Sequence, residues 1–178
     1  MRSYKTEGIV IKRRNFGEAD RIITLFTKVQ GKVNVKATGV RKITSRRSSH
    51  IELLNCSMFS LYKGRNMPVL TEVEEIDNFS TIKGDLKKIG FAYHICEVVD
   101  GLCAENQENE AIYSLIKETL ENLSKTEDPT KLVRDFEVKL LNLLGFYKGD
   151  GQELNTKTFI EQILERRLKS KQILTHFT

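Results

Sequence analysis

The sequence predicts an α+β protein: a small five-stranded antiparallel barrel followed by an all-α helical domain. Three observations carry this. Residues before about 79 show short β-branched and aromatic runs joined by turn signals. Residues after it show apolar positions at helical spacing. The two halves also differ in charge. Residues 1–65 hold fifteen Lys and Arg against four acids, a net +11, whereas residues 66–178 carry a net −6. We therefore expect two domains, 1–79 and 80–178.

The first strand is expected over Tyr4 to Arg14, ending at the Asn15-Phe16-Gly17 turn. Arg21 to Lys28 (RIITLFTK) follows, then a turn at Gln30-Gly31. Lys32 to Thr38 alternates strictly, with Val33, Val35 and Ala37 on one face and Lys32, Asn34, Lys36 and Thr38 on the other. That period of two marks a half-buried strand with a basic outer face. Ile51 to Tyr62 and Val69 to Ile76 complete the set, joined by the turn Lys63-Gly64-Arg65-Asn66. Five strands of this size match an OB-type barrel, with an SH3-like barrel as the alternative.

The helical half opens with one face carrying Ile82, Leu86, Ile89, Tyr93, Cys96, Val99 and Cys103. A second helix runs from Ala111 to Leu123. Asp128-Pro129 supplies an N-cap and a proline at the first helical position of a third, and Gly145 supplies its stop. A fourth starts near Asn155 and carries Phe159, Ile160, Ile163, Leu164 and Leu168.

The three cysteines, Cys56, Cys96 and Cys103, have no CxxC spacing, so we expect buried free thiols rather than a disulfide framework or a zinc site. The start MRSYKTEG lacks an apolar signal-peptide core, and no apolar run has the length of a membrane span. A soluble cytoplasmic protein is expected.

Little supports catalysis. His50, His94 and His176 are far apart in sequence. His94 and Cys96 stand two apart on a predicted helix, which aims them in different directions. His94 is read as a core-edge residue. Neither a GxxxxGK[ST] loop nor a GxGxxG is present. Glu18 and Asp20 could form a carboxylate pair for a metal, but Arg14 and Arg21 beside them make salt bridges the plainer account.

Binding is better supported. Between Asp20 and Glu52 stand eight basic residues and no acid. The stretch GVRKITSRRSSH, Gly39 to His50, reads as a mobile loop carrying Arg41, Lys42, Arg46 and Arg47. Such a surface grips phosphates without reading bases. In OB barrels the ligand face is built by strands two and three with their flanking loops. The expected DNA contacts are Arg13, Arg14, Lys28, Lys32, Lys36, Arg41, Lys42, Arg46 and Arg47. Tyr4, Phe16 and Tyr62 lie near strand ends, where they could stack on bases. The alternatives are a general OB-fold RNA-binding module of the translation machinery, a scaffold docking an acidic protein, and an anionic membrane surface. The membrane option fits poorly, because the basic residues lie on strands and loops rather than on an amphipathic helix.

Several of these stretches resemble one family. EGIVIKRRNFGEADRIITLFTKVQGKVNVKATGVRKITSR, Glu7 to Arg46, is similar to the N-terminal region of the bacterial recombination mediator RecO. The similarity includes the GEADRI turn and the G-x-R-(K/R) start of the basic loop. Ile51-Glu52-Leu53-Leu54, Tyr62-Lys63-Gly64-Arg65, FEVKLLNLLGF (136–146) and LKSKQIL (168–174) resemble further segments of that family. The resemblance implies an OB-fold barrel with a helical domain and a non-enzymatic role in DNA repair. It implies binding of single- and double-stranded DNA and annealing of complementary strands. It also implies loading of RecA, with RecR, onto DNA coated by single-stranded-DNA-binding protein, whose C-terminal peptide would dock on the helical domain. A nucleoid-associated cytoplasmic location follows from that role. Many members carry a four-cysteine zinc insert after LLGF. Here no cysteine follows Cys103, so no zinc and no other cofactor are expected.

Overall fold

The computed structural model describes residues 2–174; His176 lies outside them. Two compact units emerge. One comprises Met1–Asn78 with Glu105–Tyr113, the other Phe79–Ala104 with Ser114–Thr178.

In the first unit five strands close into a barrel in the order β1-β2-β3-β5-β4. They are β1 (Ser3–Phe16), β2 (Asp20–Thr27), β3 (Gly31–Ala37), β4 (Cys56–Tyr62) and β5 (Val69–Asp77). This is the OB arrangement. β1 is long because it serves two neighbours: Ser3 to Ile9 pair with β4, and Gly8 to Phe16 pair with β2. Closure comes from a parallel contact of β3 with β5 at Lys36 and Val69, where the Lys36 N–H donates to the Pro68 carbonyl at 2.9 Å. Val33, Val35 and Ala37 point into the core as their alternation predicts, against Val10, Ile23 and Phe59.

The stretch expected as one strand from Ile51 to Tyr62 is divided. Ser48–Ile51 forms a 3-10 turn, and the strand starts at Cys56. The cause lies in β1, whose register shifts between Val10 and Lys12. Val10 there accepts from Leu54 N–H at 2.9 Å and donates to the Asn55 carbonyl at 3.1 Å. The loop thus fills the ladder at the bulge, and Leu54 takes a left-handed φ of 76° to do so.

In the second unit the first predicted helix is two: α1 (Ser80–Lys83), then α2 (Leu86–Leu102), restarted by Asp85, whose carboxylate accepts from the N–H groups of Lys87 and Lys88. The next helix, α3 (Glu110–Leu123), begins with residues of the first unit. Asp128 caps α4 (Pro129–Leu143), and Gly145 leaves that helix at φ 79°. The last predicted helix also divides, into α5 (Thr156–Leu164) and α6 (Lys169–Leu174), because Glu165 turns left-handed at φ 54°. All three cysteines are free and buried. Burial and the nearby Asp100 push the Cys96 thiol up to about 12. No helix among the described residues is long and apolar enough to cross a membrane.

Candidate nucleic-acid interface

The outer face of β2 and β3 is set by their register. Ile22 opposes Lys36, Thr24 opposes Asn34 and Phe26 opposes Lys32. Side chains directly opposite share a face, so Lys32, Asn34 and Lys36 do stand on one face, as expected. Only the last stays at the surface as a charge. Lys32 is 8% exposed. The residues following α2 lie along this strand. Glu105 bridges Lys32, the Asn106 N–H donates to the Lys32 carbonyl at 2.8 Å, and Asn34 Nδ2 donates to Glu105 Oε1 at 2.7 Å. Lys28 Nζ pairs with Glu110 Oε1 at 3.5 Å.

This strap fits closely. Gly31 has a φ of 67°, and a Cβ there would lie 1.9 Å from the Gln107 carbonyl oxygen, so glycine is required on both counts. Tyr113 anchors the far end by donating to Glu7 Oε1 at 2.7 Å beside Cys56. Burial first, then the Glu7 hydrogen bond, hold that phenol well above its ordinary pKa and keep it a donor.

The opposite end of β3 is different. The basic stretch after Ala37 is a hydrogen-bonded loop rather than a loose one. Gly39 N–H donates to Asp20 Oδ1 at 2.8 Å, Arg41 N–H to the Ala19 carbonyl at 2.9 Å, and Arg41 Nη1 to the Gly17 carbonyl at 3.1 Å. Arg47 spans two strand ends, with Nη1 on the Leu70 carbonyl at 2.9 Å and Nη2 on the Thr38 carbonyl at 2.7 Å. These anchors hold the tip out, where Arg41, Lys42 and Arg46 are exposed and Ile43 is fully so. Asp20 pairs with Lys36 at 3.4 Å rather than with Arg14 or Arg21. Asp20 lies diagonally across from Lys36 on the same face. The Gly39 N–H lowers the Asp20 carboxyl pKa against slight burial, with Lys36 and Lys42 adding to it. Lys36 Nζ also sits 5.3 Å from the centre of the half-exposed Phe16 ring.

The nine expected contacts therefore separate. Arg14, Lys42 and Arg46 face solvent without an ion pair among the described residues, and Arg41 keeps its charge exposed while bonded to a carbonyl. Lys36 and Lys28 are paired but accessible. Arg13 turns the other way and meets Glu52 at 2.5 Å, with Arg21 at 3.8 Å from the same carboxylate. Lys32 is buried under the strap, and Arg47 is engaged in holding the loop. Sequence reasoning passed over Lys63 and Arg65, both exposed in the β4–β5 turn. The signal was available, since that turn flanks the ligand face of OB barrels.

Residues 1–79 match the family model described as Recombination protein O N terminal, and residues 83–147 match Recombination protein O C terminal. The chain belongs to the RecO family. A protein named DNA repair protein RecO from Acetivibrio thermocellus is 40% identical over 147 residues, 82% of this chain and 59% of that protein. One of the same name from Roseiflexus sp. is 39% identical over 145 residues, 82% of this chain and 51% of its own length. Listeria innocua supplies a third at 34% over 143 residues, 56% of its length. This chain thus spans between half and three-fifths of the RecO relatives it matches.

The helical unit of this RecO-family chain contains one arrangement that looks catalytic. His94 Nδ1 lies 2.7 Å from Ser170 Oγ, and His94 Nε2 lies 2.5 Å from Glu137 Oε1. All three are buried, and Thr156 Oγ1 donates to the other Glu137 oxygen at 2.5 Å. The hydroxyl is enclosed, so the network ties α2, α4, α5 and α6 together. His94 was expected at the core edge and is fully inside the core. Among the described residues no three His, Cys, Asp or Glu side chains are grouped to hold a metal ion.

Proposed function

We propose that this chain is a non-enzymatic DNA repair and recombination mediator that binds single- and double-stranded DNA by phosphate contact and anneals complementary strands. The observation that carries the reading is the cluster of exposed cations at one end of the barrel, without an ion pair among the described residues and most of them held on an anchored loop, in a family whose relatives are named for DNA repair. The proposed contacts are Arg14, Arg41, Lys42 and Arg46, with Lys36 at their edge. Arg13, Lys28, Lys32 and Arg47 already have structural partners and are left out. Residues 1–79 would serve as the nucleic-acid domain and 80–178 as the helical domain.

Two strands repel each other, and a dispersed basic surface screens that repulsion without locking bases, which leaves pairing free to proceed. In the cell the same activity would assist, with RecR, the loading of RecA onto DNA coated by single-stranded-DNA-binding protein. The C-terminal peptide of that protein would be a further partner, in a cytoplasmic, nucleoid-associated setting. The test is annealing of two dye-labelled complementary oligonucleotides across a salt titration, with EDTA present throughout and matched RNA strands in parallel. The expected result is acceleration that fades with salt. Binding without annealing, or a preference for RNA, overturns the reading.

A further inference from the structure

We infer that nucleic acid crosses the end of the barrel, over the β1–β2 turn, the 38–47 loop and the β4–β5 turn, and does not run along the β2–β3 face. The inference rests on the nucleic-acid reading above and assigns the path within it. Lys63 and Arg65 become part of the site.

The first reason is occupancy. Glu105–Glu110 (ENQENE) lies on β3 from Lys32 to Asn34 and closes against Gly31 with no room for a Cβ. A strand laid on this half of the sheet would meet exposed carboxylates of Glu105, Glu108 and Glu110. Lys28, the cation at this edge, already pairs with one of them. A close-fitting polar segment that offers carboxylates to the Lys and Asn side chains beneath it takes the place a phosphate backbone would have.

The second reason is what stays open. Asn34, where the Glu105 carboxylate docks, and Ala37, where the loop begins, are three residues apart, about 10 Å along a strand. That is slightly more than one Debye length at physiological salt, and Glu108 and Glu110 follow the strap away from the loop towards Gly31 and Lys28, so most of the strap's charge is screened from the far end. Three segments meet there. The Arg41 side chain bonds the β1–β2 turn at Gly17, and Lys36 and Arg47 bond Pro68 and Leu70, beside the β4–β5 turn. The meeting gathers Arg14, Arg41, Lys42, Arg46, Lys63 and Arg65, with Glu18 the exposed carboxylate of the first turn. On the other flank β5 turns outward with Glu72, Glu74, Glu75 and Asp77 exposed. Two acidic borders thus confine a polyanion to the end.

The experiment measures oligo(dT) affinity of the full chain by fluorescence anisotropy from 50 to 300 mM NaCl, with circular dichroism on each variant. K63A/R65A is expected to weaken binding roughly tenfold and to flatten the log–log salt slope by about 1.4, two contacts at about 0.7 each. R14A, at an independent position, should flatten it by about 0.7. K28A should change affinity less than twofold, and E105Q/E108Q/E110Q should leave the slope unchanged. The path is overturned if K28A flattens the slope while K63A/R65A and R14A do not, or if neutralising the strap steepens the slope by about one contact or more. Loss of binding in R41A/K42A/R46A with K63A/R65A unaffected removes this path and leaves the nucleic-acid reading standing. A wild-type chain that does not bind removes both.

Discussion

The Arg13 guanidinium meets the Glu52 carboxylate at 2.5 Å, on the opposite side of β1 from Arg14. Neighbouring residues on a strand point to opposite faces, so these two arginines have separate duties. Arg13 shares the side of its partner Ile23, a core residue; Arg14 shares the side of Lys36. R14A is expected to weaken DNA binding with stability unchanged. R13A is expected to cost no more than about 1 kcal/mol of stability, since the pair is partly exposed, with a smaller effect on DNA. Urea unfolding and anisotropy on both variants check this, and equal effects on DNA would contradict it.

Arg47 holds two carbonyls that belong to different strand ends. Lysine cannot span both, because its ammonium lacks the planar fork. R47K and R47A should each lower unfolding stability by about 1–3 kcal/mol. Amide exchange in residues 38–47 should accelerate while exchange in β4 stays slow. If R47K keeps the loop protected, the bridging role is wrong.

Glu137 accepts from Thr156 and meets His94 inside the helical unit. E137A leaves two buried polar groups unpaired, and we expect a loss of about 3–5 kcal/mol. E137Q preserves shape and should lose less. Annealing per folded molecule should be the same in E137Q as in wild type. A specific loss of activity in stably folded E137Q would give the buried network a functional role.

The Glu97 carboxyl is lowered to about 2 even though burial opposes this. The Ser170 and Arg166 side chains and the Ser170 and Lys169 N–H groups outweigh the burial. Because the folded pKa lies below the ordinary 4.5, the stabilisation is full above that value and is lost as pH falls towards 2. Stability of the helical unit should therefore decline over that window, and E97Q should remove much of the decline. An unchanged acid profile in E97Q would assign the loss to other carboxylates.

Sequence alone determined the number of strands, the inward face of the third, the helix starts at Asp128 and Asn155, and the excess of positive charge in the first unit. Each is encoded locally: period-two alternation, a capping side chain, a turn residue or a sum of charges needs no distant partner. Tertiary structure decided which cations stay free. The bulge between Val10 and Lys12 sets the faces of Arg13 and Arg14, and a one-residue shift in register reverses every side chain beyond it. The strap that buries Lys32 is 73 residues away in sequence and has no apolar pattern to announce it. Arg47 became a strut because Leu70, on another strand, lies within its reach. Charge is written in the chain, but its availability to a partner depends on what the fold places beside it.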